Sequence, residues 1–260
     1  MKCIDSNDVQ TLPGRRLSPG DRFRFRCHAG LACFNRCCRN LNLFLYPYDL
    51  LLLKNHLEMT AEVFIDTYVD VVLRPDNAFP DVLLRMRADA EHTCPFLTAE
   101  GCAVYPVRPD TCRTFPIEKG AFYKKPSRPP EIVSFFRPPA FCLGQHEAQA
   151  WDLAGWAEDQ EAAVHNRMTA QWAAIKRLFL QDPWGAEGPS GPKARMAFMA
   201  AYNLDAFRSF VFESSFLKRY RVKPALARKL RRNERALLSF GFEWIKLFVW
   251  GIPSSQMRRK

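Results

Sequence analysis

Eight of the nine cysteines in this 260-residue chain lie between Cys27 and Cys142. A fold must either bury those thiols one by one or give them a common purpose. In a reducing compartment ordinary cysteine pairs stay reduced, so thiols gathered in this way point to metal ligation or catalysis before a disulfide framework. The N-terminal stretch MKCIDSNDVQTLPGRR has no apolar run that could act as an export signal, and the expected location is the cytoplasm.

The first cluster is Cys27-x5-Cys33-x3-Cys37-Cys38, within CHAGLACFNRCC. Four thiols so close in sequence reach one ion only if the chain loops, and Gly30 permits a loop. The adjacent Cys37 and Cys38 project in different directions in either helix or strand, so they serve different ends. The second cluster is Cys94-x7-Cys102-x9-Cys112, with Cys142 following. A reversal at Thr98 to Gly101 would bring Cys94 and Cys102 together. If Pro109 opens a helical turn, Cys112 lies where unpaired backbone amides favour its thiolate, and Arg108 and Arg113 act in the same sense.

Eight thiols fit two four-cysteine sites, or one iron–sulfur cluster with ligands to spare, and spacing does not choose between them. It matches neither the ferredoxin run nor a paired Cys-x2-Cys zinc ribbon. The alternative for any one thiol is a small buried core residue. His28, His92 and His146 flank the cysteines and are read as exposed or hydrogen-bonding side chains, with ligation as the alternative. Cys3 stands apart as a terminal thiol.

CFNRCC followed by CPFLTAEGCAVYPVRPDTCRTFP resembles the YkgJ-type cysteine cluster family, described as a zinc- or iron-chelating domain. The resemblance spans about residues 23–142 and rests on the Cys37–Cys38 pair, Cys-Pro-Phe at Cys94, Gly-Cys at Cys102, and Arg-Pro-x-x-Cys-Arg-x-Phe-Pro from Arg108 to Pro116. It implies chelation by Cys27, Cys33, Cys37, Cys38, Cys94, Cys102, Cys112 and Cys142. The family's usual first cluster is the tighter Cys-x2-Cys-x2-Cys-Cys, which leaves the role of Cys27 less secure than that of Cys37 or Cys38. One branch contains flagellin lysine methylases, implying methyl transfer assisted by a metal cluster. This chain has no Gly-x-Gly-x-x-Gly loop for a nucleotide-type cofactor, so the resemblance names no reaction.

The fold expected is mainly α with irregular loops and a few short β-strands. Residues 1–20 read as a flexible leader, 21–145 as the cysteine-cluster metal-binding domain, and 146–260 as a helical C-terminal region with a Gly/Pro-rich linker at 182–193. Helices are expected at 47–56 and 60–69, the second capped by Thr60, and short strands at 82–86 and 103–105. Further helices are expected within 147–180, 194–216 and 224–250. Glu58, Glu62, Asp66 and Asp70 read as a solvated helical face, and no catalytic group is assigned.

The expected cofactor is an iron–sulfur cluster or zinc, used in redox chemistry or in methyl or group transfer. The alternative is a zinc-stabilised interaction module whose basic helical surface meets a protein partner. With 38 basic and 27 acidic residues the chain carries a net charge of +11, which attracts anions without selecting one. Nucleic acid and an anionic membrane surface are therefore open but not favoured as partners. The segment 236–251 is interrupted by Glu243 and Lys246 and is shorter than the ~20 residues a bilayer span needs.

Overall fold

In the computed structural model, residues 2–4, 13–75, 77–123 and 130–260 are described, the first three by backbone alone. The protein is mainly α-helical, with its strands in small sheets. Among the described residues, no helix is long and apolar enough to cross a membrane. The chain divides into two compact units, Met1–Phe44 with Leu84–Ala173, and Leu45–Leu83 with Ala174–Lys260.

In the first unit the antiparallel hairpin of Ile117–Phe122 and Glu131–Phe136 forms the centre of a four-stranded sheet. Lys2–Ile4 runs parallel to its first strand, and Arg15–Leu17 pairs antiparallel with its second. Arg15–Leu17 falls within the stretch expected as a leader, yet Leu17 is buried in the core because its strand is hydrogen-bonded into the sheet. Residues 5–12 of that stretch lie outside the described residues.

Leu17, Phe23, Phe25, Ile117, Cys142 and Trp156 form one apolar cluster. Its tryptophans carry polar edges that must be satisfied inside. Trp156 Nε1 donates to the Thr114 carbonyl at 3.0 Å and Trp151 Nε1 to that of Phe25 at 2.8 Å. The start of the loop after Phe23–Arg24 is thereby pinned to the segment that carries Trp151.

The expected strand at 103–105 is not formed. The reversal instead pairs Leu97–Thr98 with Gly101–Cys102, and Tyr105–Val107 is a 3-10 turn. Pro106 lies in the first positions of that turn, where its fixed φ and missing N–H suit a helical start better than a strand. Gly101 takes a φ of +127°, which a side chain would oppose.

The second unit is built on helices. Pro47–His56 is closed by the Asp49 carboxylate, which accepts the Tyr46 amide at 2.9 Å, and Ala61–Tyr68 is capped by Thr60. The strand expected at 82–86 is Asp81–Leu84, beside Val69–Val72. The stretches expected as two long helices are each broken by an asparagine. Asn203 begins Leu204–Glu213 by accepting the Ala206 amide at 3.1 Å, and Asn233 begins Glu234–Trp250 by accepting that of Ala236 at 2.8 Å. Each side chain satisfies one of the donors a helix start leaves open.

The expected linker is anchored by Trp184, which is 2% exposed and donates its indole N–H to the Ala78 carbonyl. Lys54 is also buried, with its ammonium 2.9 Å from Asp205 and 3.6 Å from Glu234. Burial alone would raise the Asp205 pKa, but Lys54 and the Ala61 amide hold it below the ordinary carboxylate range.

The aromatic face of Glu234–Trp250 points inward: Phe240, Trp244 and Ile245 are each 0% exposed. This helix meets Pro192–Tyr202 at Gly241, where a Cβ would fall 2.5 Å from the Ala200 carbonyl oxygen and 3.3 Å from Phe207 Cε1. Backbone cannot swing aside as a flexible side chain can. Gly241→Ala is therefore expected to lower stability by about 2 kcal/mol in urea unfolding, despite alanine's better helix propensity.

Candidate metal centre

All eight cysteines from Cys27 to Cys142 belong to the first unit. Four chain segments carry them. Cys27, Cys33, Cys37 and Cys38 lie on the loop after Phe23–Arg24, whose one regular element is the 3-10 turn Arg36–Cys38. Cys94 precedes the small hairpin, and Cys102 lies on its second strand. Cys112 sits in the short helix Asp110–Thr114 that follows Pro109, and Cys142 precedes the 3-10 turn Leu143–His146.

Backbone bonds tie these segments together in two places. The Cys94 amide donates to the Cys38 carbonyl at 2.9 Å and the Asn40 amide to that of His92 at 3.0 Å, so 38–40 and 92–94 run antiparallel. An isolated bridge between Arg39 and Thr93 completes the pairing. On the other side, the Leu143 amide donates to Cys33 Sγ at 3.2 Å. The Arg26 amide donates to the Gly144 carbonyl at 3.0 Å. Cys142 is thus held beside Cys33 and the approach to Cys27, although it is remote from them in sequence.

The arginines of the RPDTCR stretch have structural partners. Arg113 donates to the carbonyls of Gln160 at 2.7 Å and Pro106 at 2.6 Å. Arg108 donates to the Tyr105 carbonyl and to Gln160 Oε1, both at 2.7 Å, with its guanidinium 3.9 Å from the centre of the Tyr105 ring. Both side chains are buried, and they fix the Cys112 helix by satisfying carbonyls that the turns around it leave open. The positive charge of Arg108 bears on Cys102, whose thiol is nevertheless raised by burial.

Crowding governs the ionisation of the thiols. Desolvation pushes Cys27 up to about 11, and the neighbouring Cys37, Cys142 and Cys33 push in the same direction. A hydrogen bond between adjacent sulfurs lowers Cys37 to about 7 and, with burial, raises Cys38. Cys112 and Cys94 add to the rise at Cys38. Burial also raises Cys94 and Cys142. Thiolates held this close repel one another, and a cation among them reverses the sign of that interaction.

The donor chemistry fits a soft or borderline metal, since all eight candidates are sulfur. Among the described residues, however, no three His, Cys, Asp or Glu side chains already stand where they could hold one ion. Of the flanking histidines, His28 has other neighbours. His28 Nδ1 accepts the Gly30 amide at 3.2 Å, and its Nε2 lies 3.6 Å from Glu147. The side chain of Cys3 lies outside the described residues.

These eight thiols are all gathered in one unit of a mainly helical protein. Residues 26–129 match the CxxCxxCC family model, whose description reads "Putative zinc- or iron-chelating domain". Seven of the eight thiols fall inside the match and Cys142 falls beyond it. No curated protein and no solved structure matches the chain.

Proposed function

We propose that the first unit holds a thiolate-ligated metal centre, loaded as iron–sulfur, with Cys27, Cys33, Cys37, Cys38, Cys94, Cys102, Cys112 and Cys142 as its ligands. The observation that carries this reading is the joining of distant cysteine segments, by Leu143 N–H to Cys33 Sγ and by Cys94 N–H to the Cys38 carbonyl. An amide aimed at a ligand sulfur is also how a protein stabilises and tunes a cluster. When bound, such a cluster supplies electron transfer or a centre for group transfer. The chain's own part is to fix the sulfurs and to keep water from the half-buried ones. A reducing cytoplasm is where this many thiols would stay available for loading.

Protein purified anaerobically is expected to carry iron and acid-labile sulfide in about equal amounts. Zinc without sulfide would overturn the iron–sulfur assignment and leave thiolate chelation standing. That second reading has its own support, because the loop that carries the first four cysteines has little regular structure, and an ion there would staple it. The exposed basic face of Pro224–Arg232 would then be the surface offered to an acidic protein partner.

A further inference from the structure

The second unit contains a cleft with two unlike walls. Its volume is about 470 Å³, within the range of small-molecule sites. Trp244 and Phe248 line one side, stacked with ring centres 4.5 Å apart, and Phe216 adjoins them. Lys218, Arg219 and Arg259 line the other side, and all three are exposed. The strand Met257–Arg259 pairs with Tyr220–Val222, setting Arg259 opposite Tyr220, while the Lys260 amide donates to the Arg219 carbonyl at 2.9 Å. Sheet register therefore gathers these cations from two distant parts of the chain.

Two features lack counterparts within the protein. Among the described residues, no carboxylate forms an ion pair with Lys218, Arg219 or Arg259, so their charges are left without an ionic partner. Trp244 is 0% exposed, and among the described residues its indole N–H finds no acceptor. A buried tryptophan N–H ordinarily has a partner, and leaving one without costs free energy.

We propose that this cleft binds a small organic anion with a flat or aliphatic apolar body, its head at the arginine rim and a polar atom accepting from Trp244 Nε1. An inorganic anion would answer only the cations and leave the Trp244 N–H and the rings beside it without a partner. A neutral apolar molecule would answer only the wall. The proposal is independent of the metal centre.

The test is titration of the full chain with anilinonaphthalene sulfonate, an anion with an aromatic body, beside its uncharged relative N-phenylnaphthylamine and inorganic sulfate. Expected is saturable binding of the sulfonate, at least about tenfold tighter than that of the neutral probe. Arg219→Gln with Arg259→Gln should weaken it by about tenfold and bring the two probes together. Trp244→Phe keeps an aromatic ring and removes the donor, so it should weaken binding by about fivefold. Circular dichroism must match the parent protein in each case, and Lys218→Gln serves in place of any variant that does not. Equal affinity for the charged and neutral probes, or no loss in the arginine variant, would overturn the proposal. Binding of anionic phospholipid vesicles without binding of the soluble sulfonate would also overturn it, in favour of a membrane surface.

Discussion

On the proposed ligand set, Cys142→Ser is expected to remove about half of the bound metal and Cys94→Ser the other half, since eight thiols fill two four-cysteine sites. The first proposed set is Cys142 with Cys33 and Cys27, whose segments are joined through the Leu143 and Arg26 amides, completed by Cys37. The other is Cys94 with Cys102 on its hairpin, Cys38 across the 38–40 pairing, and Cys112. Electrostatic influence follows the same division, since Cys27 feels Cys37, Cys142 and Cys33, whereas Cys38 feels Cys112 and Cys94 as well as its neighbour Cys37. Cys37 bears on Cys102 as well, so the two sets touch at the Cys37–Cys38 pair. Metal and sulfide analysis of both single variants and of the double variant decides it. If either single substitution strips all the metal, the eight thiols serve one shared site and the division is wrong.

The helical elements of this protein were largely legible in its sequence because their signals are local. Pro47 at a first turn, Thr60 as a cap and Gly101 at a reversal each act through immediate neighbours, and each appears where expected. Breaks at Asn203 and Asn233 were legible in principle, since asparagine is a strong N-cap, but apolar periodicity running through both positions hid them. The sheet hairpin was missed because EIVSFF does not alternate: Val133, Ser134 and Phe135 are buried in succession while Glu131 and Ile132 are exposed. Pairing between Arg15–Leu17 and Glu131–Phe136 depends on contacts more than a hundred residues apart, which no window of sequence reports.

The candidate site was legible in a different way. Residue type and clustering picked out the cysteines, but their grouping was carried by backbone bonds such as Cys94 to Cys38. Arg108 and Arg113 show the limit most clearly. Their position beside Cys112 suggested electrostatic help for its thiolate, whereas the structure engages both in holding the surrounding turns.

Gly144→Val is expected to release the metal of the Cys142 set without any change to a ligand. A Cβ at Gly144 would lie 2.7 Å from the Arg26 carbonyl oxygen, 3.0 Å from Phe25 Cε2 and 3.3 Å from the Arg26 carbonyl carbon. Two of those three atoms are backbone, so a side chain there must push the 142–146 turn away from residues 25–27, just beyond the strand Phe23–Arg24. That separation strains the Arg26–Gly144 bond and draws Leu143 from Cys33 Sγ, the contacts that bring Cys142 to its neighbours. The expected result is loss of about half the metal, with a fall in stability of ~1–3 kcal/mol. Gly30→Ala is the control, within the same cysteine loop. Its Cβ would meet only the His28 ring, at 3.1 and 3.2 Å, and Gly30 is not among the glycines with positive φ. A half-exposed imidazole can turn aside, so this variant should retain its metal. If Gly144→Val also keeps its full metal content, Cys142 is a core thiol packed against Phe25 and the ligand set closes without it.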